Sequence, residues 1–95
     1  MPAGWIYIMT NHRNGTLYIG ATSNLARRVR AHQEGTGSTF TRRYKLHRLV
    51  YAETHDNMLT AIQRETSLKH WPRAWKVRLI VAGNPDWDDL SVGLM

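Results

Sequence analysis

Cysteine is absent from the 95 residues, which excludes a disulfide framework and a cysteine-ligated zinc centre and fits a reducing compartment. No apolar run approaches the roughly 18 residues of a membrane span, and Met1-Pro2-Ala3-Gly4 lacks the basic flank and apolar core of a signal peptide. The expectation is a soluble, cytoplasmic protein. Acidic residues are scarce in one half. Glu34 is the single acid among residues 1–48, against eight Lys and Arg, a net of +7, whereas five bases and six acids leave residues 49–95 at −1. A field this one-sided suits a polyanion, nucleic acid being the commonest such partner, although a solvated basic face without a partner has the same composition. Repeats and low-complexity runs are also missing. A chain of 95 residues is read as one domain (1–95, core about 4–82, tail 83–95) that buries about two-thirds of its unfolded surface and needs no staples.

Period-two alternation over Trp5-Ile6-Tyr7-Ile8-Met9 and Leu17-Tyr18-Ile19-Gly20 predicts two strands, and Asn14-Gly15 between them supplies the positive φ angles of a hairpin. Side chains alternate along a strand, so Ile6, Ile8, Leu17 and Ile19 share one face while Tyr7 and Tyr18 emerge together on the other. Asn24 or Ser23 caps the helix that follows. In that helix Leu25, Arg28, Val29 and His32 fall at offsets 0, 3, 4 and 7, one continuous stripe. A cation and an imidazole on an inward stripe, beside a sheet face carrying two phenols, point to an anion site rather than to simple packing.

Glu34 to Ser38, rich in Gly, Thr and Ser, reads as a flexible loop. In Thr39-Phe40-Thr41-Arg42-Arg43-Tyr44-Lys45, Arg and Thr suit phosphates and Phe40 or Tyr44 a splayed base; the rings equally suit the edge of the core. Leu46–Thr54 is read as a third strand added to the hairpin, with apolar residues on both faces and its register open. Thr54-His55-Asp56 offers a start for a helix over about 57–71, ended by Pro72. Its apolar stripe runs Met58, Ala61, Ile62 and Leu68, and Glu65 stands in the gap. A carboxylate on a buried stripe is costly unless paired, hydrogen bonded or metal-bound. A surface pair with Lys69 at i, i+4, worth about 0.3–0.5 kcal/mol, is the plainer alternative. Arg73–Ala82 is read as a helix, with a short strand over 77–81 the competing choice, and Trp71, Trp75 and Trp87 as core or edge packing. The acidic tail from Asp86 either lies on the body or frays.

These motifs resemble the GIY-YIG endonucleases, named for two tripeptides about ten residues apart. Trp5-Ile6-Tyr7 stands for the first, with Trp in place of Gly, and Tyr18-Ile19-Gly20 matches the second. Arg28 and His32 sit where the family has its helix arginine and its helix histidine or tyrosine, and Glu65 where it has a metal-binding glutamate. The resemblance spans roughly residues 4–82 and is strongest to small stand-alone bacterial members. It implies an α/β (α+β) fold, a small three-stranded, mainly antiparallel sheet flanked by helices. It also implies phosphodiester hydrolysis by Tyr7, Tyr18, Arg28, His32 and Glu65. Where some relatives carry a lysine three residues after the second tyrosine, this chain has Ala21. Where many place an asparagine a dozen residues past the glutamate, it has Lys76-Val77-Arg78, with Asn84 further on.

Each role in hydrolysis then has a candidate. Glu65 holds one divalent ion, Mg²⁺ or Mn²⁺, since one carboxylate leaves most coordination positions to water and phosphate. Arg28 presents a bidentate fork to phosphate oxygens. Tyr7 or Tyr18 orients or deprotonates the water, and His32 accepts a proton or braces the phenol. Arg27, Arg30, Arg42, Arg43, Lys45 and Lys69 are the expected nucleic-acid contacts. Two functions follow. One is a metal-dependent endonuclease acting on DNA or structured nucleic acid with little sequence preference; the other is a nucleic-acid-binding module of the same fold without turnover. DNA is the expected partner and a membrane is not; monomer and weak dimer both stay open.

Overall fold

The computed structural model describes residues 3–94. Strands β1 (Gly4–Thr10), β2 (Leu17–Thr22) and β3 (Arg48–His55) form one antiparallel sheet in the order β2-β1-β3. Helices α1 (Leu25–Gln33), α2 (Thr39–Arg43), α3 (Met58–Lys69) and α4 (Arg73–Gly83) flank it, and a 3-10 turn over Leu90–Leu94 follows. The expected α+β architecture is the one observed. The hairpin reverses at Asn14, whose φ is 59°. Arg73 of α4 fixes that loop by donating to the carbonyls of Asn14 (2.8 Å) and Gly15 (2.7 Å).

The central strand β1 is buried on both faces. Ile6 and Ile8 pack with Ile19, Val50, Leu68, Ile80 and Trp87, so α3 and α4 cover this side. Tyr7 and Met9 pack with Leu25, Val29, Leu46 and Leu49, so α1 covers the other. Each fully buried aliphatic side chain contributes about 1.5–3 kcal/mol. Gly4 lets α3 come close to the sheet: a Cβ there would stand 3.0 Å from the Asn57 carbonyl oxygen and 3.1 Å from Ala61 Cβ.

The third strand begins at Arg48 rather than Leu46, and its register explains its two apolar faces. Ile8 pairs with Tyr51 but Met9 with Leu49, so Val50 is an extra residue, a β-bulge. Val50 and Tyr51 consequently turn to the same side while Leu49 and Ala52 face the other. Asn84 Nδ2 donates to the Val50 carbonyl (3.2 Å) and Asp89 Oδ1 accepts from the Leu49 N–H (3.1 Å). Arg48 Nη1 donates to the Trp87 carbonyl at 2.8 Å. The tail therefore lies on the body, along the outer edge of β3, with Trp87 buried.

Helix α3 starts one cap later than the sequence suggested: Asn57 Oδ1 accepts from Thr60 N at 2.9 Å. Its buried seam is also narrower than expected. Ala61 and Leu68 are fully buried, whereas Ile62 is 47 % exposed. A seven-residue step separates the two buried positions, and Arg64 and Glu65 occupy the two wheel positions between them. The segment 73–83 is a helix and not a strand, in line with the helical spacing of Trp75, Leu79 and Ala82. Of the tryptophans, Trp87 is core and Trp71 half-buried, whereas Trp75 is half exposed and meets Trp71 edge-on at 5.9 Å.

Candidate active site

Helix α1 is set by Asn24, whose side chain accepts from Arg27 N at 3.1 Å. From that start Leu25, Val29 and His32 turn inward and are buried, with Arg28 half-buried between them. His32 meets the buried phenol of Tyr7: Tyr7 Oη and His32 Nε2 are 2.8 Å apart. On its other side His32 Nδ1 lies 2.9 Å from Thr41 Oγ1. Two glycines make room for these rings. A Cβ at Gly20, the cross-strand partner of Tyr7, would overlap the Tyr7 hydroxyl, and one at Gly37 would overlap the His32 ring.

Burial, and then the Arg28 charge, push the His32 pKa down to about 4, so the ring is neutral near pH 7 and carries one proton. Assigning the Thr41 hydroxyl hydrogen to the Ser38 carbonyl (3.2 Å) makes Thr41 Oγ1 the acceptor for His32 and puts the ring proton on Nδ1. Nε2 is then an acceptor, and Tyr7 donates to it. Ser38 Oγ completes the chain by approaching Thr41 Oγ1 at 2.8 Å while accepting from Thr41 N at 3.1 Å. Helix α2 holds Thr41 in place for this contact.

The two phenols differ. Tyr7 is 1 % exposed, and burial pushes its pKa up to about 12 despite the lowering effect of Arg28. Tyr18 is half-buried, with its ring 6.3 Å from Tyr7 and 5.1 Å from His32. Arg28 lies beside both and is held still more firmly protonated by them, Tyr7 contributing most. The guanidinium donates towards both phenolic oxygens, Tyr7 first and Tyr18 second, so an anion arriving here would share these N–H donors with the phenols.

Glu65 approaches this group from α3. Its charge is felt at Tyr7, where it opposes ionisation of the phenol. Its carboxylate pairs with Lys69 Nζ at 3.4 Å, the surface pair that the i, i+4 spacing allowed. Lys69 in turn lines a shallow groove along β2 with Leu17, Tyr18, Ile19, Phe40 and Lys76. The neighbouring Arg64 is used elsewhere. It donates to Glu53 on β3 at 3.0 Å and covers the Trp71 ring at 5.0 Å. Tyr51 and His55 meet the same Glu53 carboxylate, and although burial opposes its ionisation, these three hydrogen bonds hold its carboxyl below the usual range. That anchor pins α3 to β3 one residue before Glu65. Sequence reading missed it because its members lie up to 13 residues apart on two elements.

Among the described residues no three His, Asp or Glu side chains gather into a group able to hold a metal. One carboxylate, with water and a substrate phosphate as its other partners, is still a donor set suited to a hard divalent ion. The remaining candidates lie at the surface: Arg27, Arg30, Arg42, Arg43, Lys45 and Lys69 are all exposed. Arg27 and Arg28 border a groove with Thr22, Ser23, Asn24 and Ala31. Asn84 is absorbed by structure, donating to Val50 and Asp88 and accepting from Asp88 N. No described helix is long and apolar enough to cross a membrane.

Residues 3–78 match the family model of the GIY-YIG catalytic domain. A UPF0213 protein from Natronomonas pharaonis is 38 % identical over 76 residues, covering 80 % of this chain and 88 % of that protein. A UPF0213 protein from Staphylococcus saprophyticus is 32 % identical over 83 residues, 87 % of this chain and all of the other. Among solved structures, the solution NMR structure of a UPF0213 protein from Bacillus halodurans superimposes with a TM-score of 0.55 at 27 % identity, covering 90 % of each chain. The names of these relatives state no activity, whereas the catalytic domain itself implies a nuclease. The chain therefore belongs to the GIY-YIG family.

Proposed function

We propose that the protein is a metal-dependent endonuclease that hydrolyses phosphodiester bonds in DNA or structured nucleic acid, with little sequence preference of its own. The observation that carries this reading is the Arg28 guanidinium set against both phenols, Tyr7 and Tyr18, with Tyr7 Oη hydrogen bonded to His32 Nε2 at 2.8 Å. A phosphate at Arg28 would lie against both phenols. Tyr7 is buried and engaged by His32 and Arg28, so half-buried Tyr18 is the phenol more open to a water beside that phosphate.

Magnitudes limit what this pair does alone. With pKa values of about 12 and about 4, moving the phenol proton to His32 costs on the order of 10 kcal/mol before attraction within the resulting pair is counted. The resting pair therefore does not ionise. Positive charge beside the phenol lowers this cost, and Arg28 supplies part of it. Glu65 would hold a divalent ion, Mg²⁺ or Mn²⁺, which when bound stabilises charge on the phosphoryl oxygens. Arg27, Arg30, Arg42, Arg43, Lys45 and Lys69 would contact the backbone of the nucleic acid.

A second reading, binding without turnover, is favoured by the Lys69 ammonium at 3.4 Å from Glu65, a cation already on the carboxylate. Ala21 removes a further positive charge from the neighbourhood of Tyr18. Incubation of plasmid and branched DNA with Mg²⁺ or Mn²⁺ separates the two readings. Cleavage by the parent, lost in Glu65→Gln with binding retained, supports the enzyme. Binding without cleavage supports the module, and equal nicking by both proteins marks a contaminant.

A further inference from the structure

From Tyr18 the groove along β2 continues into two aromatic rings, Phe40 and Tyr44, that the hydrolytic site does not use. Phe40 lies 6.2 Å from Tyr18, and Tyr44 lies 4.8 Å from Phe40, centroid to centroid. Phe40 is 42 % exposed and Tyr44 41 %. Burial therefore does not explain why two large rings stand side by side, one on a five-residue helix and the other at its C-cap. Their backing is firm. Thr41 points inward to His32 and is buried, so Phe40 and Tyr44, four residues apart, face outward together. The Arg43 guanidinium covers the Tyr44 ring at 5.5 Å, and Lys69 and Lys76 stand with Phe40 and Tyr18 around the groove.

We infer that Tyr18, Phe40 and Tyr44 form a stacking platform for unpaired bases, so that the polynucleotide is single-stranded beside the phosphate held at Arg28. Charge and continuity argue for this occupant. The rings offer faces to bases, the flanking Arg43, Lys69 and Lys76 offer charge to the intervening phosphates, and the row begins at a tyrosine of the site itself. Bases inside a duplex are stacked on their neighbours and cannot present their faces to such a row. Stacking on protein aromatics is tolerant of sequence because every base has a π-face. The inference rests on the nuclease reading for the position of the cut, but base stacking is measured without any cut.

The test is fluorescence anisotropy of the full chain in EDTA with four 12-residue probes: oligothymidylate, oligouridylate, an abasic strand of equal charge, and a blunt hairpin duplex. The parent is expected to bind the base-bearing strands about tenfold more tightly than the abasic strand. The Phe40→Leu/Tyr44→Leu variant loses that advantage and leaves abasic binding unchanged, while Phe40→Trp keeps it. A preference between thymidylate and uridylate names the polymer and supports the platform in either direction. Equal affinity of the parent for base-bearing and abasic strands overturns the proposal, even if the double variant fails to fold. So does tighter binding to the duplex than to either base-bearing strand, or an equal loss on all probes, which would mark the rings as a structural pair. Failure here with Glu65-dependent cleavage intact refutes the platform alone; loss of that cleavage refutes the nuclease alone.

Discussion

The Tyr7 phenol lies across the backbone of Gly20, its partner on β2, and a methyl group at residue 20 would overlap the hydroxyl. The glycine that ends Tyr18-Ile19-Gly20 is thus a packing requirement of the tyrosine in the other tripeptide. Each motif explains the other.

Gly20→Ala is accordingly expected to destabilise the fold by about 1–3 kcal/mol through overpacking and to displace Tyr7 from His32. Urea denaturation measures the first effect and the His32 ring signals in NMR the second. Tyr7→Phe should leave the strand pairing intact and cost about 1–3 kcal/mol, because it strands the buried Nε2 acceptor.

His32 makes stability fall in acid. Its folded pKa of about 4 lies below the ordinary value of 6.5, so the unfolded chain binds a proton that the folded chain refuses. This contribution is complete above about pH 6.5 and is lost as pH falls through about 4. At about 1.4 kcal/mol per pKa unit, it is worth up to roughly 3 kcal/mol. Urea midpoints at pH 7.5 and 4.5 should separate for the parent and draw together in His32→Phe.

At the alkaline end the sign reverses. Tyr7 and Tyr51 are both pushed up to about 12, chiefly by burial, so the folded state keeps protons that the unfolded state releases from about pH 10. Stability should fall as pH rises from 10 through 12. Phenolate absorbance at 295 nm should show a late phase near pH 12, reduced in Tyr7→Phe and again in Tyr51→Phe.

Arg42 and Arg43 are exposed at the end of α2, with no acid paired to them among the described residues. If each meets one phosphate of a single strand, replacing either by Ala should make the log–log dependence of affinity on salt shallower by about 0.7. Titrations at several salt concentrations read the slope directly. An unchanged slope would move the phosphate track away from α2.

Much of this was legible in the sequence where a single period ruled. The alternation in Trp5–Met9 and Leu17–Gly20 placed both phenols on one face, and the 3.6-residue stripe of α1 placed Arg28 and His32 beside them. What stayed hidden involved broken periods or contacts between elements. The bulge at Val50 puts two successive residues on one side, so neither phase of alternation fits β3. Helix α2 spans five residues without apolar periodicity, and its Thr41 matters only through a histidine nine positions earlier. Ile62 was misplaced because α3 buries a seam through Ala61 and Leu68 alone; the next wheel position faces solvent.

The central claim is that Glu65 shares one site with Tyr7, Tyr18, Arg28 and His32, and Mn²⁺ tests it without any turnover. Titrated into the full chain and followed by NMR, the paramagnetic ion should selectively broaden the ring signals of Tyr18 and His32 in the parent and lose that effect in Glu65→Gln. Broadening confined to distant residues, or persisting at those rings once Glu65 is replaced, would contradict the account.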